Sequence, residues 1–194
     1  MLLAMWFGPV AELARSTFFG HMAVHMGVVA VATPLLAAGI AGTRFDPVRR
    51  WPRQFSPIPV SMLEFVTVWA WHAPQLHHTA RHTTWGLIAE QGTFFVTGLW
   101  LWLSAIGGER PRPHGRSMSG AIALLLTAMH MTLLGVLIGL APRPLYPHAA
   151  GLSGLTPLQD QHLGGVVMIF LGGASYLTGG LWLMSGVLRG KVAR

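Results

Sequence analysis

Long apolar runs broken by short polar segments set the pattern of this chain. A helix that crosses about 30 Å of hydrocarbon needs about 20 apolar residues. Four runs meet that length: Phe18 to Ile40, Trp85 to Ile106, Ser119 to Leu140 and Leu163 to Leu188. A fifth, Ile58 to Leu76, is shorter and carries Glu64, His72 and Pro74. The pattern predicts an all-α polytopic membrane helix bundle of about five transmembrane helices, at residues 18–40, 58–76, 85–106, 119–140 and 163–188. Residues 1–194 read as a single transmembrane domain, with 1–17 as a short leader or interfacial segment.

The polar breaks orient the bundle. Arg44, Arg49, Arg50 and Arg53 follow the first run, Arg110, Arg112 and Arg116 follow the third, and Arg189, Lys191 and Arg194 follow the fifth. These segments hold most of the 13 basic residues. Five spans put all three on one side, which the positive-inside rule makes the cytoplasm. The N-terminus is then outside and the C-terminus cytoplasmic. The same charge pattern argues for the short second span, because without it the first two basic segments would face opposite sides. The opening MLLAMWFGPV has no basic residue ahead of its apolar ones, which favours an anchored first span over a removed signal.

Composition agrees. Hydrophobic residues make up 52% of the chain and charged residues 10%, against about 25% charged in a soluble domain. The formal charge of +7 belongs to loops between apolar runs, so it reads as topology and not as a nucleic-acid surface. With no Cys, thiolate ligands, thiol nucleophiles and disulfides are excluded. Gly165, Gly172, Gly173, Gly179 and Gly180 in the fifth span permit close helix contact, either within the chain or across a homodimer.

Ten histidines and ten methionines are the unusual reserve. On this topology His21 and His25 lie near the outer end of the first span, and His72 closes the second. His77, His78 and His82 fall in an outer loop, and His148 and His162 in the last outer segment. His130 is at mid-depth, and His114 is in a cytoplasmic loop. The loop histidines read as solvent-exposed. His21 and His25 differ, because residues four apart share a helix face and polar groups inside a membrane are costly and tend to be functional. In HMAVHM they place two imidazoles within reach of one metal, with Met22 and Met26 on the adjoining face. Glu64 and Glu90 must be protonated, paired or metal-bound. Asp160 stands where it would cap the fifth span.

Imidazole and thioether without thiolate form a copper ligand set, although zinc also accepts imidazole and carboxylate. No GxSxG, HExxH or phosphate-binding loop is present, so no enzymatic activity is expected.

Four motifs carry a resemblance. They are HMAVHM (21–26) followed by PLL (34–36), WAWHAP (69–74), AEQ (89–91) opening a span that ends in LWLW, and PLYPHAAGLSGLTPLQDQHLGG (144–165). Together the chain resembles the CtaG family of cytochrome c oxidase assembly factors, from about His21 to Leu183. The family shows Glu-His where this chain has Glu90-Gln91, so no metal role passes to Gln91. The resemblance implies a multi-pass protein of the bacterial cytoplasmic (inner) membrane that binds copper near the exterior or periplasmic face. It would hand that copper to oxidase subunits or another copper carrier. His21, His25 and His72 are the expected ligands and His130 a deeper ligand or relay. Met22 and Met26 would hold Cu(I) in transit, and Asp160 would orient a ligand. Two other readings stand beside it: a haem-binding or quinone-reactive cytochrome using His25 and His130, and a metal or proton transporter using Glu64, Glu90 and His130.

Overall fold

A computed structural model describes residues 13–14, 16–108, 113–146 and 154–192, with the side chains of 190–192 left aside. Every regular element among them is helical. The first rod comprises α1 (Phe18–Met26), a π turn (Gly27–Ala32) and α2 (Thr33–Ile40). After the short α3 (Pro47–Arg50) come α4 (Pro57–His72), α5 (Pro74–His82), α6 (Thr84–Ile106) and α7 (His114–Gly139). The last rod is α8 (Pro157–Val167), a second π turn (Met168–Gly172) and α9 (Gly173–Val192).

Three of these rods are long and apolar enough to cross a membrane: Phe18–Ile40, His114–Gly139 and Pro157–Arg189. α4 has 16 residues, about 24 Å of helix at ~1.5 Å per residue. α6 has 23 residues but carries Glu90 and Gln91 inside its apolar run. The exterior is apolar: Leu35, Val66, Ile88, Val96, Met129 and Phe170 are all exposed. The interior holds His21, His25, Glu64, His72, Glu90 and His130. Such an inside-out distribution suits lipid, where intramembrane polar groups turn to the bundle interior.

Loop contacts fix how the rods are arranged. Asp46, after the first rod, accepts N–H bonds from Gly42 (2.7 Å), Val48 (3.0 Å) and, after α6, Gly108 (2.8 Å). Gly108 has φ +100°, a conformation glycine adopts without a Cβ penalty. Arg116 donates to the Phe55 carbonyl at 2.9 Å. The segments after the first rod and after α6 therefore share one end. At the other end Asp160 meets Phe18, and Tyr146 donates to the His72 carbonyl at 2.7 Å.

Several element bounds depart from the sequence reading. The second helix ends at His72, not Leu76, because Pro74 forces Ala73 out of the α region (φ −64°, ψ 132°). Residues 74–82 then form a helix instead of a loop. The fourth helix starts at His114, so that histidine opens a helix, where it stays exposed. The last rod starts at Pro157, where Thr156 and Gln159 form a reciprocal capping box. Asp160 is not its cap. Most of the 1–17 leader, with Arg110, Arg112, His148 and Arg194, lies outside the described residues.

The glycines of the last rod meet the chain's own helices. A Cβ on Gly165 would lie 2.7 Å from the Gly135 carbonyl oxygen and from Gly139 Cα, and one on Gly164 would meet the Phe18 ring. Gly172 faces Met26 and Met131, Gly179 the Trp102 ring, and Gly180 Leu125. These glycines serve packing within the chain and give no support to a homodimer face.

Candidate metal centre

The centre begins where α1 is pinned. Thr17 accepts the Gly20 N–H at 3.1 Å. Asp160, from α8, accepts the Phe18 and Phe19 N–H groups at 2.7 and 3.0 Å. With four orphan N–H groups at a helix start, this anchoring fixes where the next turns point. His21 and His25 leave the same face one turn apart, with ring centroids 4.1 Å apart and 2% and 1% exposure.

Glu90 comes from the second turn of α6, whose start Thr83 caps through Gly86 N–H. It is fully buried. Its Oε1 lies 3.3 Å from His21 Nε2 and 3.3 Å from His25 Nε2. One ligand atom from each of His21, His25 and Glu90 falls within a mutual 4.8 Å. Metal–nitrogen and metal–oxygen bonds of about 2.0–2.1 Å in a tetrahedral site put neighbouring ligand atoms about 3.3–3.4 Å apart, so both spacings fit one shared ion. Glu90 pairs with both of these imidazoles. Arg81 also acts on Glu90 electrostatically, and a cation held by the same three side chains would pair with this buried carboxylate.

Supporting groups set the tautomers. Gln91 Nε2 donates to His25 Nδ1 at 3.0 Å, and Phe94 meets the His25 ring edge-on at 4.6 Å. His72 Nδ1 lies 2.7 Å from the Val68 carbonyl. A carbonyl only accepts, so that nitrogen carries the proton and Nε2 keeps its lone pair. His72 Nε2 is buried without a hydrogen-bond partner among the described residues, and the ring centroid is 6.3 Å from that of His25. His72 therefore borders the centre without joining its three close atoms.

His77 corrects the expectation of an exposed loop histidine: it is 3% exposed, 5.2 Å from the His21 ring and 4.5 Å from Tyr146. Burial, with His21 beside it, pushes His77 down to about 2, so its ring is neutral. Tyr146, also buried, is pushed up to about 12. His78 and His82 are exposed, as expected.

Other expected ligands lie elsewhere. His130 belongs to a separate cluster, with Nε2 3.6 Å from Glu64 Oε2 and the Phe65 ring edge-on at 5.1 Å. There Tyr176 donates to Glu64 Oε1 at 2.7 Å and lies 3.1 Å from the Val29 carbonyl. That carbonyl also receives the Thr33 hydroxyl at 2.8 Å and Trp102 Nε1 at 3.3 Å. His25 and His130 thus sit in different clusters. Met22 and Met26 are buried, but Met22 packs against Gly164 and Met26 sulfur against Gly172. Both meet the last rod. Both Asp160 oxygens are occupied by backbone N–H groups, so its role here is to position α1. Gln91, His77, Tyr146 and Tyr176 were missed in the sequence. For the tyrosines a signal existed: the chain has two, and both are buried with their hydroxyls bonded.

The geometry defines a class: a multi-helix membrane protein with a buried imidazole–carboxylate centre at one end of its bundle. The chain belongs to the family of cytochrome c oxidase caa3 assembly factors, whose pattern it matches over residues 1–190. No curated protein and no solved structure matches it.

Proposed function

We propose that this oxidase assembly factor binds copper at His21, His25 and Glu90 and hands it on to oxidase subunits or another carrier, transforming no substrate. The observation that carries this reading is the shared 3.3 Å spacing of two imidazole nitrogens to one buried carboxylate oxygen. Two imidazoles and a carboxylate suit several divalent ions, and Cu(II) heads their affinity order over zinc. The family's connection to a copper-containing oxidase favours copper as the cargo. His72 Nε2 serves as a further ligand or an exit position. With a metal on Nε2, His25 carries its proton on Nδ1, and Gln91 turned over accepts that proton through Oε1. In this reading all five rods cross a bacterial inner membrane, with the N-terminus outside, the C-terminus inside and the centre beneath the exterior surface.

Metal analysis of purified protein tests the proposal. The expected result is one tightly held copper per chain, lost in the His21→Ala/His25→Ala variant. A wild-type protein that takes up no copper, or a double variant that holds as much, rejects the centre.

A further inference from the structure

A buried centre needs an entrance. His21, His25 and Glu90 are at most 2% exposed, so an ion from solvent does not meet them directly. One element carries imidazoles on both its faces. The nine-residue α5 turns His77 and Ala80 inward and His78 and His82 outward. His78 and His82 are four residues apart, with ring centroids 4.1 Å apart and planes inclined by 38°. Arg81, between them in sequence, is turned away and donates to the Ala14 carbonyl. His77 is the chain neighbour of His78, and its ring lies 5.2 Å from His21. One short helix therefore presents His77 to the buried centre and His78 and His82 to solvent. That helix is bounded by non-helical residues, Ala73 (ψ 132°) and Thr83 (ψ 138°).

We infer that His78 and His82 form a surface dock for a divalent transition-metal cation, which His77 passes to His21, His25 and Glu90. The dock rests on the buried-centre reading for its destination, but its own binding is measured separately. Two imidazoles at this spacing on a helix offer one ion two borderline-soft nitrogen ligands with open positions left over. Such a site binds weakly and exchanges readily. A docked ion is presented to the interior at an effective concentration in the millimolar range, far above micromolar free metal.

The experiment titrates detergent-purified full-length protein with Cu(II) and follows loading by stopped flow. Wild type is expected to show a tight and a weak equivalent. His78→Ala/His82→Ala should lose the weak equivalent, keep the tight one and load it about tenfold or more slowly. His77→Leu should keep the weak equivalent and slow loading likewise, with thermal unfolding confirming its fold. In His21→Ala/His25→Ala the weak equivalent should persist, so absence of the tight site in wild type would count against the buried centre and not against binding at the dock. Unchanged stoichiometry and loading rate in His78→Ala/His82→Ala overturns the dock.

Discussion

Asp160 Oδ2 accepts the backbone N–H of Phe18 at 2.7 Å across 142 positions of sequence. Its other oxygen takes Phe19 N–H at 3.0 Å. An acid in the first turn of the last rod thus holds the start of the first, and with it the turn that places His21. Asp160→Ala removes two buried acceptors and a favourable charge at a helix N-terminus. Losing a cap costs about 0.5–2 kcal/mol, and leaving a buried donor unpaired about 1–3 kcal/mol. The expected outcome is a lower thermal midpoint in detergent together with weaker metal binding, whereas Asp160→Asn, which keeps acceptor oxygen, falls between.

The last rod approaches α7 backbone to backbone at Gly165. A methyl there meets the Gly135 carbonyl and Gly139 at 2.7 Å, contacts that no side-chain rotation relieves. Gly165→Ala should destabilise the fold by about 1–3 kcal/mol, the usual cost of overpacking. Size-exclusion chromatography with light scattering should return the same oligomeric state for variant and wild type, because the glycine packs inside one chain.

Gln91 holds His25 from the side away from Glu90. Removing a hydrogen bond behind a metal-binding histidine costs about 10–100-fold in affinity. Gln91→Leu should weaken copper binding by that order while leaving one site per chain, as read by competition titration. Equal affinity in the variant would detach Gln91 from the centre.

Protonation of His77 gives a pH signature. Its folded value is near 2 against an ordinary 6.5, through burial and the adjacent His21. Below pH 6.5 the unfolded chain binds a proton that the folded chain refuses, so stability falls as pH drops, by up to about 1.4 kcal/mol per unit for this group. Thermal midpoints should decline from pH 6.5 towards 4.5, and His77→Phe should make that decline shallower by this group's share. A variant with the wild-type slope would show that His77 is not the group responsible.

What was legible in the sequence was local. The HMAVHM pair follows from helical periodicity alone, and the all-helical, membrane-suited architecture follows from the long apolar runs. Glu90 stood out as an acid inside an apolar helix, but its partners lie 69 and 65 positions away, and pairing across helices is not written in local pattern. His130 was placed at mid-depth, yet its company, Glu64 and Tyr176, is set by how α4, α7 and α9 meet. Met22 and Met26 misled because residues adjacent in sequence diverge by about 100° around a helix. That rotation carries the sulfurs to the last rod while the imidazoles face α6. Asp160 stands close to the start of its own helix, yet Thr156 and Gln159 form the capping box there. Pro74 announced the break after α4, yet the inward face of α5, and so His77, needed Tyr146 and His21 to become visible.

X-ray absorption of the copper-loaded protein tests the centre most directly. The account predicts a first shell of nitrogen and oxygen at about 2.0–2.1 Å, with imidazole scattering from two histidines and no sulfur. That signal should vanish in Glu90→Gln/His21→Ala. A sulfur shell, bringing in Met22 or Met26, or an imidazole signal unchanged in that variant, would contradict it.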